Sequence, residues 1–160
     1  MNSRDRVLQA MNHQEPDRVP FDLGGTGLST IHVTAYQNLR RYLGLPPVEA
    51  RVAFLAEQLA LVDEDLADRL QTDVRPVLPG TASSFDHVLR DEGPYEAYTD
   101  EWGIGWRRPQ VGGFYYDMYY HPLAAADSWA DLEGYILPDP LDDGRFAQLR
   151  AQAERAAAQG

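Results

Sequence analysis

The chain has 160 residues, of which 44% are hydrophobic and 11% aromatic, with a formal net charge of −11 and no cysteine. This acidity argues against binding to nucleic acid or to a membrane of anionic lipid, because both partners require clustered Lys and Arg. The missing cysteines exclude disulfides, thiolate catalysis and cysteine-containing zinc sites within this segment. No signal peptide opens the chain and no run approaches the roughly 18 apolar residues of a membrane span, so we expect a cytoplasmic protein.

The first half of the chain predicts helices alternating with strands. The strands are indicated by alternation of apolar and polar residues, and the helices by capping residues and helical spacing of the apolar ones. In chain order the predicted elements are a helix capped by Ser3, a strand over 18–23, a glycine turn over 24–27, a helix capped by Ser29 or Thr30, a helix over 50–62, a helix from Asp63 to Leu70 and a strand over 73–78.

The second half predicts a turn-rich loop, a hairpin and further helices. Residues 81–94 have the composition of a loop. Apolar residues alternate over 101–106 and again over 114–120, which predicts two strands within an aromatic β-hairpin spanning 95–121. Ser128 begins a capping-box pattern, and 145–158 has a helical stripe.

Short motifs distributed along nearly the whole chain are similar to those of the uroporphyrinogen decarboxylase family, whose members include corrinoid-dependent methyltransferases. The resemblance depends on the order and spacing of these motifs more than on any single one. They are Arg4-Asp-Arg-Val-Leu-Gln-Ala10, Asn12-His-Gln-Glu-Pro-Asp-Arg-Val-Pro20, Asp22-Leu-Gly-Gly-Thr26, Tyr42-Leu-Gly-Leu45, Asp100-Glu-Trp-Gly-Ile104 and the segment from Leu132-Glu through Tyr135 to Pro138-Asp-Pro140.

The resemblance implies an α/β fold, the N-terminal part of a (β/α)8 TIM-type barrel with an inserted β-hairpin. Such a barrel takes roughly 250 residues, so the family fold predicts that residues 1–160 form a single partial domain and leave the barrel incomplete. A fragment, a truncated gene product or one piece of a split protein would each match this expectation. An incomplete barrel exposes strand edges, so we expect the isolated chain to be poorly soluble or a homo-oligomer.

The family resemblance implies two chemistries. One is decarboxylation of uroporphyrinogen, a tetrapyrrole, in porphyrin biosynthesis; the other is methyl transfer from a methyl donor, with a corrinoid protein as partner and zinc as the metal. The decarboxylase holds its substrate with an arginine pair where this chain has Phe21 to Leu28, and its catalytic aspartate lies in a different context from Asp73. Methyl transfer is therefore favoured, with zinc and corrinoid supplied outside this segment, which itself predicts no metal site or cofactor. A non-catalytic interaction module is the third alternative.

A glycine loop is the candidate site, with Asp22 and His32 beside it as candidate catalytic groups. Backbone N–H groups and hydroxyls at a helix N-terminus can bind a carboxylate or phosphate. The candidate anion-binding residues are Gly24, Gly25, Thr26, Gly27, Ser29 and Thr30. In the simpler interpretation the glycines form a tight turn, Ser29 or Thr30 caps the helix, and His32 is a surface or packed residue.

The aromatic hairpin also has two interpretations. Its tyrosines and tryptophans either pack as a core or form a wall beside a flat substrate, a corrinoid or a second subunit. Arg107 and Arg108 are expected in an exposed loop at its tip.

Overall fold

A computed structural model describes residues 1–159, which contain five α-helices and two antiparallel sheets. The chain divides into two compact units: the first comprises Met1–Leu78 and the chain from Leu149 onwards, and the second comprises Pro79–Gln148. The elements are α1 Ser3–Met11, α2 Val33–Tyr42, β1 Val52–Phe54, β2 Leu59–Ala60, α3 Glu64–Leu70, β3 Arg90–Glu92, β4 Tyr95–Thr99, β5 Gly105–Pro109, β6 Asp117–Tyr120, α4 Trp129–Glu133 and α5 Leu149–Gln159.

The prediction of a partial (β/α)8 barrel is wrong. A barrel of this kind is built on parallel strands, whereas both sheets in the described residues are antiparallel. The segments 18–23 and 73–78, which should have been the first barrel strands, have no regular secondary structure. Pro20 and Pro76 interrupt them, and a proline has no N–H with which to extend a ladder of hydrogen bonds.

The helix predicted over 50–62 is also wrong. Val52–Phe54 and Leu59–Ala60 form a small antiparallel hairpin instead. Gln58 takes a left-handed backbone conformation with φ of 53° beside the turn, and its side-chain amide donates to the carbonyl of Leu55 at 2.7 Å. A short run of apolar residues is compatible with a helix or a strand. The turn closed at Gln58 favours the hairpin.

The first unit has a small core around three buried side chains, Tyr36, Ala60 and Leu66. Helix α3 supplies Leu66 and begins after its predicted N-cap, Asp63. Helix α5 is fastened by its Gln152, whose amide exchanges hydrogen bonds of 2.8 and 3.0 Å with the backbone of Leu78.

The second unit is a four-stranded antiparallel sheet with the order β3-β4-β5-β6. The predicted hairpin is present as β5 and β6, although its first strand lies at 105–109 rather than 101–106. Residues 90–92, predicted as loop, form β3, which pairs with β4. In helix α4 the Asp131 carboxylate accepts from the Ser128 N–H at 3.0 Å, as the capping-box pattern predicts.

Among residues 1–159, no helix has the length and apolar character needed to cross a membrane.

Candidate functional site

The glycine loop, residues 22–29, is closed by hydrogen bonds within itself. The Gly25 N–H donates to the Asp22 carboxylate at 2.8 Å, and the Gly24 N–H donates to the carbonyl of Ser29 at 3.0 Å. The Thr26 N–H donates to the Ser29 hydroxyl at 2.9 Å. These three donors, which could have faced an anion, are therefore occupied by the loop's own oxygens.

Two of its glycines are required by close packing. Gly24 has a φ of 93°, and a Cβ there would lie 2.6 Å from Cγ2 of Val62. A Cβ on Gly27 would lie 2.8 Å from the ring of Phe54. Both positions exclude any side chain, so the glycines follow from the approach of the loop to its neighbours.

Thr30 and His32 belong to the following elements. The Thr30 hydroxyl donates to the carbonyl of Ala60 at 2.6 Å, and His32 forms an isolated antiparallel bridge with Leu59. The Nδ1 atom of His32 accepts from the Thr34 N–H at 3.1 Å. Helix α2 is consequently capped by His32, and the prediction of a cap at Ser29 or Thr30 is wrong.

The structure brings Asp22, Gly24, Gly25, Thr26 and Ser29 into one hydrogen-bonded turn, whereas His32 serves the start of α2. The Nδ1 atom of His32 thus acts as a hydrogen-bond acceptor at the start of the helix. The candidate catalytic residues Asp22 and His32 thus each have a local structural task.

Sequence reasoning missed a charge network centred on Asp73 in the first unit. The Asp73 side chain is fully buried and accepts from Arg6 Nη1 and from Arg18 Nη1, each at 2.6 Å. It also accepts from the Phe21 N–H at 2.8 Å. Arg6 in turn donates to Asp17 at 2.6 Å. Asp73 lies 55 residues from Arg18, so no local pattern indicates that they pair.

Burial opposes the ionisation of Asp73, but hydrogen bonds from the Phe21 N–H and from Arg18, Ser3 and Arg6 outweigh it and lower the pKa to about 2. The bond from Arg6 also holds the pKa of Asp17 below its usual range. The network is thus fully charged near neutral pH, which is the condition under which its contacts hold.

A cavity of about 810 Å³ adjoins this network. Arg6, Arg18 and Asp73 line it together with apolar side chains that include Val7 and Val74. Its size lies within the range of about 300–1,000 Å³ that is usual for small-molecule pockets. Arg6 and Arg18 are neutralised by carboxylates, so the cavity does not present unpaired positive charge from these two residues.

The second unit contains a turn organised by Asp100, between β4 and β5. The Asp100 carboxylate accepts from the backbone N–H groups of Trp102 and Ile104, each at 2.9 Å, and from the indole N–H of Trp106 at 2.8 Å. Gly103 has a φ of 73° in the same turn. In the sequence, Asp100 stands out only as the first residue of the short motif Asp100–Ile104.

Contacts at long range fasten this turn to later residues of the second unit. The Glu101 carboxylate pairs with the guanidinium of Arg145, and the Tyr135 hydroxyl donates to the carbonyl of Trp102. The motifs around 100–104 and 132–140 therefore meet in space, although about 30 residues separate them in the sequence.

One face of the sheet is an aromatic core. Tyr98 and Tyr116 are buried, with ring centroids 5.0 Å apart, and Tyr98 stacks on Trp106 at 6.4 Å. Glu96 accepts from the Tyr116 hydroxyl, and burial together with this contact raises the pKa of that phenol well above its usual value. For these rings the core interpretation of the hairpin applies.

On the hairpin, Arg107 and Arg108 lie in strand β5, so their prediction as an exposed loop tip is wrong. The guanidinium of Arg107 lies 4.5 Å from the ring centroid of Tyr95 and 4.9 Å from that of Tyr119. Arg108 pairs with Glu96 at 2.8 Å. The cation–π contacts of Arg107 and the ion pair of Arg108 account for these two positive charges in the sheet.

The zinc that the family resemblance implies does not fit the described residues. Within 1–159, no group of three or more His, Cys, Asp or Glu side chains is arranged to hold a metal ion. The chain has no cysteine, the ligand that soft metal sites favour.

No family model, no curated protein and no solved structure matches this chain. Function must accordingly be inferred from its own residues and contacts.

Proposed function

We propose that this chain is a segment of a uroporphyrinogen decarboxylase-family protein and that the protein transfers methyl groups with a corrinoid partner. The observation that carries the choice of methyl transfer is the glycine loop. Where the decarboxylase would place an arginine pair, residues 21–28 contain no arginine and contribute the carboxylate of Asp22. The barrel is no part of this proposal.

Electrostatics favour methyl transfer over decarboxylation at this loop. A substrate with many carboxylates is oriented by bidentate contacts from arginine, and a fixed aspartate repels it. The Asp22 carboxylate is held in place by the Gly25 N–H at 2.8 Å. A loop of this kind opposes the binding of a polyanion and leaves a neutral or cationic group unhindered.

The contacts of the motif residues support family membership. Arg6, Asp17 and Arg18, which come from the first two motifs, join Asp73 in one charge network. Asp100 and Tyr135, from the last two motifs, meet at a single turn. If one residue of such a contact were replaced, its partner would lose a hydrogen bond or an opposite charge. This is a physical reason for these motifs to occur together.

Exposed aromatic rings of the second unit are suited to a flat ligand. The exposed fractions of Trp102 and Tyr120 are 47% and 55%, respectively. Stacking of such rings on a macrocycle contributes through apolar burial and ring quadrupoles. A corrinoid carried by a partner protein has a suitable flat face, whereas any zinc ligands would have to come from outside residues 1–159.

The proposal is tested by titrating the chain with methylcobalamin and, anaerobically, with uroporphyrinogen III. All three tryptophans, Trp102, Trp106 and Trp129, lie in the second unit, so quenching of their fluorescence reports on it. Free tryptophan amide at equal absorbance corrects for light absorption by the ligands. We expect saturable quenching by methylcobalamin, with a Kd at least tenfold below that of uroporphyrinogen.

Two results would contradict the proposal. Tighter binding of uroporphyrinogen, with release of carbon dioxide, would assign the decarboxylase reaction. Failure of both ligands to bind would leave the non-catalytic interaction module. Trp102→Phe, which retains an aromatic ring but removes one reporter, checks that the quenching comes from the exposed face.

A further inference from the structure

Negative charge is concentrated in the second unit. Residues 79–148 contain 13 Asp and Glu side chains against 4 Arg, a net charge of −9 out of the −11 of the whole chain. The chain has no lysine. The first unit therefore carries about −2, so the second unit dominates the long-range field of the molecule.

The four arginines of the second unit are already engaged. Arg90, Arg108 and Arg145 pair with Glu92, Glu96 and Glu101, respectively. Arg107 lies between two tyrosine rings. The other carboxylates of the unit are not neutralised by its arginines, so its field favours a positively charged partner.

The two edges of the sheet in this unit differ. Strand β3 has charged residues at all three positions, Arg90-Asp91-Glu92, a composition that protects an edge from pairing. Strand β6 at the other edge consists of Asp117, Met118, Tyr119 and Tyr120, all exposed. Within the described residues, β6 pairs with β5 on one side and has no strand on the other.

We propose that β6 is a docking edge for an extended segment of another protein that bears lysine or arginine at alternate positions. The segment adds a fifth strand by backbone hydrogen bonds, as edge strands do in β-augmentation. Its cationic side chains lie on the side of Asp117, the one carboxylate of the strand, within the negative field of the unit, and its other side chains cover Met118. This proposal does not depend on methyl transfer.

A second copy of the chain is a poor occupant of the same edge. Two second units would each bring a net charge of −9 to the interface. Juxtaposed like charges oppose association at an interface. A basic segment gains from the same field, which also accelerates its association.

The test uses the complete chain and a fluorescently labelled octapeptide of alternating lysine and valine, with binding followed by anisotropy at low salt. Two matched peptides separate the contributions: a glutamate–valine peptide reverses the charge, and a lysine–valine peptide methylated on every backbone nitrogen keeps the charge but has no backbone donor. We expect the unmodified lysine–valine peptide to bind at least tenfold more tightly than either. Equal binding of the N-methylated peptide would reduce the interaction to charge alone and overturn strand addition.

Met118→Lys and Val88→Lys locate the site. Both side chains are exposed in the same unit, at 55% and 62%, and both substitutions add one positive charge. Only the first lies on β6, so we expect it to weaken binding at least tenfold and the second no more than about threefold. Equal losses would place the peptide elsewhere, and circular dichroism verifies that both variants fold.

Discussion

At the scale of single residues, Asp73 and His32 show where local sequence is informative and where it is not. The sequence predicts that a helix follows the glycine turn, but the cap shifts from Ser29 or Thr30 to His32 because the Thr30 hydroxyl bonds to Ala60 instead. Asp73 gains its role from Arg6 and Arg18, far away in the chain. The presence of this helix follows from its local sequence, whereas its capping residue and the ion pairs of Asp73 depend on tertiary contacts, so only the helix could be predicted.

Replacing Asp73 by asparagine is expected to destabilise the chain. The substitution leaves Arg6 and Arg18 without their shared carboxylate in a buried site, and removing one partner of a buried ion pair costs about 3 kcal/mol. Urea unfolding followed by circular dichroism measures the change. Asp68→Asn is the control, since its exposed pair with Arg75 at 2.8 Å is of the kind that contributes less than about 1 kcal/mol.

The same variant has a distinctive pH profile. Asp73 has a pKa of about 2 in the folded chain, below its ordinary value of 3.8, so its contribution is complete above pH 4 and disappears as the pH falls towards 2. A shift of this size corresponds to about 2 kcal/mol. The stability difference between the wild-type chain and the variant should therefore shrink over that window. A difference that stays constant from pH 6 to pH 2 would show that folding does not lower the pKa of Asp73.

At the scale of elements, patterns that combined polar and apolar positions located helices and strands better than apolar spacing alone. Asp63 preceded a helix that begins at Glu64, and the alternation over 114–120 contained strand β6. The run over 50–62 had apolar spacing alone, and it folded as a hairpin closed by the backbone at Gln58. Strand β3 is three charged residues, whose pairing with β4 no apolar pattern reveals.

The turn between β4 and β5 is expected to depend on Asp100. In Asp100→Asn one acceptor oxygen must replace two, so at least one of three donors, including the Trp106 indole, loses its partner. A buried donor left unsatisfied costs about 1–3 kcal/mol, and because these donors are partly buried or exposed we expect a loss of about 1 kcal/mol. A lower melting temperature by tryptophan fluorescence is the expected result. Asp86→Asn, an exposed site with the same charge change, should melt as the wild-type chain does, and equal shifts in both would assign the effect to net charge.

At the scale of the whole molecule, composition predicted the acidity but not its distribution. The barrel expectation came from the family resemblance, and antiparallel pairing together with prolines in the supposed strands overturned it. The expectation of poor solubility or homo-oligomerisation stays a prediction, but the barrel edges on which it rested are absent and the negative charge of the second unit opposes pairing of two copies at strand β6. Two units with net charges of about −2 and −9 emerge only when the fold assigns residues to each.

Added salt is expected to stabilise the second unit selectively. Raising the salt from 10 to 100 mM shortens the Debye length from about 30 Å to about 10 Å, which screens repulsion among the carboxylates of residues 79–148. Tryptophan fluorescence follows this unit, since all three tryptophans lie in it, whereas ellipticity at 222 nm follows mainly the first unit, which holds four of the five helices. The urea midpoint seen by fluorescence should rise, and that seen by ellipticity should change less because charges there are nearly balanced. Identical shifts by both probes would mean that the units unfold together, and a fall in the fluorescence midpoint would mean that ion pairs, rather than repulsion, dominate the second unit.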